Sequence, residues 1–391
     1  MAKLADRVSN VSPSLTLAIT AKAKKMKIGG IDVVSFGAGE PDFDTPQHIK
    51  TSAINAIKEG FTKYTPASGM PELKTAISGK LKRDNMLEYP SSSILISCGA
   101  KHSLYNIFQA LCQNGDEVII PSPYWLSYPE MVRLSGAKPV FLKTEEKDSF
   151  KIKKDALKKA LSKNTKAIII NSPSNPTGAV YEKNELQEIA DIAVSKNIFV
   201  ISDEIYEHLI YDDKDHVSIA ALGGDVKKNT LLVNGVSKSF SMTGWRIGYL
   251  AADDGELLEA INKIQSHSTS NPSSISQKAA LEAINGDQAS VTEMRDEFES
   301  RRDYIQERIQ KIKGLSAIKP SGAFYLFCNI EKLKLDSVLL ANKMLDEIKV
   351  AVIPGKPFGS DNHIRLSFAS GIDEIKKGMD RIEEWVAAKR L

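Results

Sequence analysis

Short runs of hydrophobic residues alternate with segments of helical periodicity through the middle of the chain. Seven runs, several of them apolar on both faces, predict β-strands that are covered by helices on both sides. The predicted strands are residues 94–97, 117–120, 138–142, 167–171, 199–203, 231–234 and 247–251. Helical periodicity between them predicts helices at residues 101–113, 126–134, 182–196 and 256–266. This alternation predicts an α/β fold with a largely parallel sheet.

The two ends of the chain follow a different pattern. Thr45-Pro46 has the order of a helix cap followed by proline at the first helical position, which predicts a helix start. A long charged helix is predicted from about residue 290, and a mixed α+β region follows it. We therefore predict a large domain at residues 47–290 and a smaller α+β domain formed by residues 1–46 and 291–391.

Composition and charge are those of an ordinary globular protein and exclude several classes of function. The chain has 391 residues, of which 42% are hydrophobic and 26% charged, so wholesale disorder is excluded. A formal net charge of +3 argues against nucleic acid as the main partner. No apolar run approaches the ~18–20 residues of a membrane span, and the N-terminus lacks a secretory signal. The chain has three cysteines, Cys98, Cys112 and Cys328, and their spacing is not that of a zinc site. So few cysteines predict that the protein works in a reducing cytoplasm.

The signatures of several common ligand sites are absent from the sequence. There is no dinucleotide glycine fingerprint, no phosphate-binding P-loop, no zinc-protease helix motif and no serine-hydrolase elbow. The acidic residues 212–215 lack the glycine and glutamate of a calcium loop, and the six histidines are scattered. We therefore predict no metal ion, and the missing fingerprint argues against a nicotinamide-dependent oxidoreductase.

The most informative stretch, residues 235–248, places Lys238 just beyond a predicted strand and Arg246 eight residues later. Ligands bind at strand ends in open α/β sheets. A lysine among small residues can form a Schiff base when burial or nearby cations lower its pKa, and an arginine can bind a phosphate with two hydrogen bonds. A lysine with a phosphate anchor is what pyridoxal phosphate requires. The alternative interpretation is a surface lysine in a loop.

Asp203 and Tyr206 lie at the end of another predicted strand. A buried carboxylate there can pair with a pyridine nitrogen and keep it protonated, which makes the ring a better electron sink. Tyr206 is then placed to hydrogen-bond the ring oxygen. The alternative is an ordinary acidic cap, because Asp and Glu favour helix starts.

Three further turns follow predicted strands, and each has a structural and a functional interpretation. Gly99 and Ala100 precede a helix whose free N–H groups can bind phosphate. Cys98 beside them is interpreted as a buried strand cysteine rather than a nucleophile. Asn175 lies in an Asn-Pro-Thr-Gly sequence that is otherwise a plain turn. Trp125 is either a core residue or an aromatic that stacks on a ring.

These motifs resemble those of the class I and II aminotransferases. Residues 235–248 meet every position of the family's lysine-attachment signature, and residues 202–206 match its Ser-Asp-Glu-x-Tyr motif. Residues 36–43, 62–69 and 362–367 resemble further family segments in the same order, so the resemblance covers essentially the whole chain. It is closest to the bacterial aspartate aminotransferases of the thermophile-type subgroup. It implies the fold-type I architecture of pyridoxal-phosphate enzymes, with a seven-stranded, mostly parallel sheet.

The resemblance implies a pyridoxal phosphate site with a role for each residue. Lys238 is implied to attach the cofactor and move the proton, and Asp203 to keep the ring nitrogen protonated. Asn175 and Tyr206 are implied to hydrogen-bond the ring oxygen. Trp125 is implied to stack on the ring. The residues implied to hold the phosphate are Gly99, Ala100, Lys101, Ser237, Arg246 and, from the neighbouring subunit, Tyr64.

The resemblance also implies a set of substrate contacts. Arg365 clamps the α-carboxylate with Asn175, Gly39 approaches the substrate through its backbone, and Trp125 lies beside it. The best-known family members bind the side-chain carboxylate with an arginine from the partner subunit, but residues 270–274 contain none. In the subgroup that this chain resembles, the lysine after the glycine turn is implicated instead, and that residue is Lys101.

We therefore predict a cytoplasmic homodimer with shared active sites that transfers the amino group of L-aspartate to 2-oxoglutarate by ping-pong kinetics. The alternatives are aminotransfer with aromatic, prephenate or broader specificity, a β-lyase, and a non-enzymatic cofactor-binding regulator. Only about 35 residues precede the first family motif, which argues against the added DNA-binding module of such regulators. Ser12 stands before Pro13 where relatives that accept prephenate have a basic residue, which argues against that substrate.

Overall fold

The computed structural model describes residues 5–13 and 15–389 and confirms the predicted α/β fold. In chain order its strands are β1 Val34–Ser35, β2 Ile94–Ser97, β3 Glu117–Ser122, β4 Lys138–Lys143, β5 Thr165–Asn171, β6 Phe199–Asp203, β7 Thr230–Gly235, β8 Gly248–Ala251, β9 Ser316–Ala317, β10 Tyr325–Asn329, β11 Val350–Ala351, β12 Ile353–Pro354 and β13 His363–Ser367.

The helices lie between these strands and at both ends of the described chain. In order they are α1 Asp6–Ser9, α2 Leu15–Ile28, α3 Gln47–Lys58, α4 Pro71–Asn85, α5 Ala100–Leu111, α6 Ser127–Leu134, α7 Lys154–Ala160, α8 Lys183–Ser195, α9 Gly224–Lys228, α10 Gly255–Ser268, α11 Ser274–Asn285, α12 Ala289–Lys311, α13 Ser337–Ile348 and α14 Ile372–Lys389.

The central sheet has seven strands in the order β2-β8-β7-β6-β5-β3-β4. Strand β8 runs antiparallel to its neighbours β2 and β7, and the remaining pairs are parallel. The strands β2, β6, β7 and β8 are almost wholly buried, as their continuous apolar sequences predict. Six strands therefore point their carboxyl ends toward one edge of the sheet.

Helices cover both faces of this sheet, because each helix has one apolar face that packs against the strands. On one side α5 buries Leu104, Ile107 and Phe108 against the strands. On the other side α8 buries Leu186 and Ile189. At helical spacing these residues form a single stripe. Ser103 and Asn106 of α5 are buried beside it, whereas Glu188 of α8 points to solvent.

A second layer of structure joins the two ends of the chain. Strand β1 pairs in parallel with β11, and the antiparallel sheet β12-β13-β10-β9 carries the C-terminal strands. Phe36 packs in the same core as Ile353, Ile375 and Met379, so residues from both termini share one apolar cluster. The predicted domain boundaries at residues 47 and 290 remain a proposal, and residues 1–4, 14, 390 and 391 of the predicted smaller domain lie outside the described residues.

The predicted helix start at Thr45-Pro46 needs a correction. The helix begins at Gln47, with Pro46 preceding it rather than occupying its first helical position. Thr45 Oγ1 accepts a hydrogen bond from Trp245 Nε1 at 3.0 Å and donates to the Ser241 carbonyl at 2.8 Å, and the helix start has no side-chain cap. The reason is tertiary, because a partner about 200 residues away outcompetes the local backbone. None of the helices within the described residues is long and apolar enough to cross a membrane.

Candidate active site

The predicted site residues follow the carboxyl ends of neighbouring strands of the central sheet. Gly99 comes after β2, Trp125 after β3, Asn175 after β5 and Lys238 after β7, while Asp203 is the last residue of β6. Because these strands are mutually parallel, their ends meet at one edge of the sheet. The topology therefore gathers residues separated by more than a hundred positions in the sequence.

A glycine turn and an arginine lie together at this edge. Arg246 donates through Nη2 to the Cys98 carbonyl at 3.2 Å and through Nη1 to the Thr243 carbonyl at 2.9 Å. Gly99 has φ +87°, and a Cβ there would lie 2.4 Å from Arg246 Nη2, so only glycine fits. Helix α5 begins at Ala100 and directs its positive end toward the same turn. These features suit a bound phosphate group.

Lys238 lies partly buried between the sheet edge and an N-terminal loop. Its Nζ donates to the Gly39 carbonyl at 2.5 Å. Burial lowers the pKa of the Lys238 amine to about 8; Arg246 also lowers it, while Glu40 opposes the shift. Thr243 donates to Glu40 Oε2 at 2.6 Å, which holds the Gly39 loop against the lysine loop. A useful fraction of Lys238 is therefore a neutral nucleophile near neutral pH.

The lowered pKa of Lys238 predicts how the rate of its reaction with an aldehyde such as pyridoxal phosphate depends on pH. Only the neutral amine attacks an aldehyde, so the rate should rise about tenfold per pH unit below about pH 8 and level off above it. The measurement is the growth of visible absorbance after mixing, followed from about pH 6 to about pH 10. A rate that keeps rising to about pH 10 would show an ordinary lysine and contradict this prediction.

Asp203 is a buried carboxylate whose environment favours a cationic partner. Tyr128 donates to Asp203 Oδ2 at 2.6 Å, and the Ile205 N–H donates to Oδ1 at 3.3 Å. Burial nevertheless raises the pKa of Asp203 to about 6, because the two hydrogen bonds offset only part of the lost hydration. A ring nitrogen that carries a proton would supply the missing positive charge.

Arg365 is a buried guanidinium that contacts neutral oxygens. It is 4% exposed, and it donates to Asn175 Oδ1 at 3.1 Å and to the Gly37 carbonyl at 3.3 Å. Its Nε has no hydrogen-bond partner among residues 5–13 and 15–389. A buried charge without a counter-ion is costly, so this arrangement favours a bound carboxylate.

One aromatic contact and two further residues complete the arrangement of the predicted residues. The Lys101 ammonium lies 4.8 Å from the centre of the Trp125 ring, and burial lowers the pKa of Lys101. Ser237 is buried in the lysine loop. Tyr64 is 90% exposed in the single chain, and its role in a neighbouring subunit stays a prediction.

The sequence analysis did not identify three residues that contact this group. Tyr128 hydrogen-bonds Asp203, Tyr325 contacts Tyr206 and Arg365, and Asn171 bridges the Asn175 N–H and the Asp203 carbonyl. Asn171 is a polar residue ending an apolar strand, which is a usable signal. Tyr325 lies in an apolar run and Tyr128 in a predicted helix, and in both places an aromatic predicts only core packing.

A buried ionic network lies beneath the sheet edge. Glu204, Glu207 and His216 are the one group of metal-ligand side chains within the described residues. Lys80 pairs with Glu207, and His216 Nε2 lies 2.9 Å from Glu204 Oε2, so both carboxylates already have protein partners. The absence of a metal ion remains a prediction.

Comparison with known proteins gives a consistent result. The family model described as aminotransferase class I and II matches residues 31–382. An aspartate aminotransferase from Bacillus sp. (strain YM-2) is 52% identical over 98% of this chain and 99% of its own. A probable aspartate/prephenate aminotransferase from Aquifex aeolicus (strain VF5) is 47% identical over 97% and 98%. The structure of Thermus thermophilus aspartate aminotransferase with maleate has a TM-score of 0.95 at 41% identity, covering 98% of this chain and all of that one.

Proposed function

The chain belongs to the class I and II aminotransferases, and from this membership we propose that it transfers the amino group of L-aspartate to 2-oxoglutarate. The products are oxaloacetate and L-glutamate. The single observation that supports this most is that Lys238, a lysine of lowered pKa, lies in the same group of residues as the buried Arg365 guanidinium, which forms no ion pair with a carboxylate of residues 5–13 and 15–389. We also propose that the protein works in the cytoplasm, where its three free thiols remain reduced.

The residues present fit pyridoxal phosphate as the cofactor. The turn at Gly99 stays open beside Arg246 because a Cβ would fill it, which leaves room for a phosphate. Asp203 has a pKa raised by burial, which a protonated ring nitrogen would relieve. We propose that Tyr206 and Asn175 donate hydrogen bonds to the ring oxygen and that Trp125 covers the ring face.

Substrate binding follows from Arg365 and its neighbours. The guanidinium offers two parallel N–H groups to the α-carboxylate of an amino acid, and Asn175 orients them through its 3.1 Å contact. The Gly39 loop supplies backbone contacts on the same side as Lys238. Binding a carboxylate here satisfies a buried charge, so the substrate is held tightly with its Cα facing the lysine.

Proton transfer is the contribution of Lys238. Pyridoxal phosphate, when bound, supplies an electron sink that stabilises negative charge at the substrate Cα. The Lys238 amine takes the proton from Cα as a general base and returns it as a general acid. A pKa near the working pH suits both steps. Asp203 holds the positive charge that makes this electron sink effective.

A visible spectrum tests the proposed function most directly. The purified protein is expected to be yellow, to bleach with L-aspartate and to recover its colour with 2-oxoglutarate, because each half-reaction interconverts the two forms of the cofactor. A yellow protein that does not respond to aspartate would contradict the substrate. A protein that stays colourless with added pyridoxal phosphate would contradict the cofactor.

Lys101 is expected to set the preference for dicarboxylates. Replacing it with methionine keeps the length and removes the charge, so kcat/KM for aspartate should fall by about tenfold or more. The same value for alanine, which has no side-chain carboxylate, should change little. Steady-state kinetics with both amino acids measure the ratio. Equal losses for the two substrates would assign Lys101 to the cofactor alone.

We propose a homodimer in which Tyr64 reaches the site of the other subunit. Tyr64, Ile54 and Ile57 are exposed by 90%, 46% and 54% in the single chain, which is the kind of apolar surface that a partner covers. The Tyr64→Leu variant should bind the cofactor about tenfold more weakly, because it loses a hydrogen bond to the phosphate.

Mixed dimers test this sharing. Lys238→Ala and Tyr64→Leu chains, co-expressed with different tags, form hybrids that contain one intact site and one doubly altered site. At limiting cofactor the mixture should regain about a quarter of the wild-type activity, because about half of the dimers are hybrids. If mixing restores nothing, Tyr64 acts within its own chain.

For a second candidate function, aminotransfer to prephenate, one observation argues in favour and one argues against. The Aquifex aeolicus relative carries prephenate in its name. In this chain the residue before Pro13 is Ser12, whose side chain is not basic. Its backbone N–H donates to Glu130 at 3.2 Å. Prephenate should therefore be a poor amino acceptor in an assay with aspartate as donor. A rate equal to that with 2-oxoglutarate would favour the second candidate.

A further inference from the structure

Tyr325 connects two parts of the proposed site, Tyr206 and Arg365, to which the family resemblance gives separate roles. It begins strand β10, which pairs with β13, so Tyr325 lies diagonally across from Arg365. It is 1% exposed. Its hydroxyl lies 2.9 Å from the Tyr206 hydroxyl, and the Arg365 guanidinium lies 4.3 Å from the centre of its ring. One side chain therefore contacts the proposed ring-oxygen donor and the proposed carboxylate clamp.

The direction of the hydrogen bond between the two hydroxyls follows from the proposed function. A tyrosine hydroxyl has a single hydrogen. When Tyr206 donates it to the ring oxygen, the contact with Tyr325 can be satisfied only by donation from Tyr325 to Tyr206. Successive hydrogen bonds polarise one another, so this donation strengthens the one that Tyr206 makes.

The ring of Tyr325 acts on Arg365. A guanidinium over an aromatic face is attracted to it, and the attraction is larger where water is excluded. Arg365 is also bonded to Asn175 and Gly37, and its guanidinium lies 5.2 Å from the centre of the Phe358 ring, so two neutral oxygens and two aromatic faces fix its plane, with Tyr325 the nearer face. Tyr325 thus supports Arg365 through its ring, and it supports Tyr206 through its hydroxyl.

We propose that Tyr325 is a positioning residue with two separable effects: its hydroxyl tunes the ring oxygen through Tyr206, and its ring aligns Arg365 for the substrate carboxylate. This inference rests on the proposed function. It predicts that removing the hydroxyl alone alters the cofactor's titration, whereas removing the ring also weakens dicarboxylate binding.

The Tyr325→Phe variant isolates the hydroxyl. With pyridoxal phosphate bound and no substrate, the pH midpoint of the long-wavelength absorption band should rise by roughly half a pH unit, because a weaker donor leaves the anionic ring oxygen less stabilised. Succinate resembles the substrate but has no amino group to transfer. Its dissociation constant, measured by calorimetry on the same sample, should stay within about twofold of wild type, because phenylalanine retains the aromatic face.

The Tyr325→Leu variant removes the ring as well. It should show the same rise in midpoint, and its dissociation constant for succinate should increase by roughly five- to tenfold. Tyr211→Phe is a matched control, because Tyr211 is also buried, lies 4.8 Å from the Arg302 guanidinium and donates to the Ala323 carbonyl. Tyr211→Phe should leave both the midpoint and the succinate affinity unchanged.

The outcomes separate this inference from the proposed function. A yellow wild-type protein with an unmoved midpoint in Tyr325→Phe would overturn the role of the hydroxyl. Equal weakening of succinate binding in the Phe and Leu variants would overturn the separation of the two effects. A wild-type protein that cannot be loaded with pyridoxal phosphate would overturn the proposed function and this inference together.

Discussion

Replacing Lys238 with alanine is expected to reduce aminotransfer by at least about 10³-fold. The variant loses both the amine that attaches the cofactor and the group that moves the Cα proton. Arg246 and the Gly99 turn remain, so pyridoxal phosphate should still bind, but without the absorption band of a lysine-linked cofactor. The measurements are a coupled assay with aspartate and 2-oxoglutarate and a visible spectrum of the loaded variant.

A matched control separates this effect from a general effect of losing a lysine. Lys74 on α4 is also partly buried and has a pKa lowered by burial, but it lies outside the proposed site. Lys74→Ala should retain most of the wild-type activity. A small primary amine added to Lys238→Ala should restore part of the rate, because it replaces the missing base. Activity of Lys238→Ala within about tenfold of wild type would remove Lys238 from the mechanism.

Asp203→Asn is expected to lower kcat by roughly 10²- to 10³-fold. Asparagine keeps the shape and can still accept the hydrogen bond from Tyr128, but it carries no charge to hold a proton on the ring nitrogen. The electron sink is then weaker when negative charge develops at Cα. Because substrate binding relies on Arg365, KM for aspartate should change much less than kcat. A kcat within about threefold of wild type would contradict the proposed role.

Although Asp203→Asn should lower kcat, it should stabilise the cofactor-free protein near neutral pH. The folded-state pKa of Asp203 is about 6, against a reference of 3.8, so the folded state holds this proton more tightly than the unfolded state. The contribution of Asp203 to stability is therefore present below about pH 4 and is lost as the pH rises through about 6. At about pH 7.5 the charged, buried carboxylate costs up to about 3 kcal/mol.

Thermal unfolding of the two cofactor-free proteins measures this effect. Asp203→Asn should have a higher Tm than wild type at about pH 7.5, and the difference should shrink at about pH 4.5. Comparing the two proteins at each pH cancels the other titrating carboxylates. Loading with pyridoxal phosphate should reverse the order, because only wild type gains the charge pair. A Tm difference that is independent of pH would show that burial does not raise the pKa of Asp203.

Much of the proposed site could be predicted because its residues follow strand ends. A run of apolar residues predicts a buried strand, and a polar residue at its end or within a few positions after it is placed at the edge of the sheet. Asp203 at the end of β6, Lys238 after β7 and Asn175 after β5 all have this signal. The start of helix α3 could not be predicted as well, because the Thr45 hydroxyl bonds Ser241 instead of the adjacent backbone.

The sequence by itself determined the α/β class, the seven central strands and the lysine, aspartate and arginine of the proposed site, because each depends on local periodicity or on a short motif. Tertiary structure alone decided how these groups meet. Arg365 on β13 reaches Asn175 in the loop after β5 across 190 positions. Tyr325 joins Arg365 to Tyr206 because antiparallel pairing of β10 with β13 brings Tyr325 beside Arg365. Neither Tyr128 nor Tyr325 differs from a core aromatic until its hydroxyl finds a partner, and that partner is set by packing rather than by neighbouring residues.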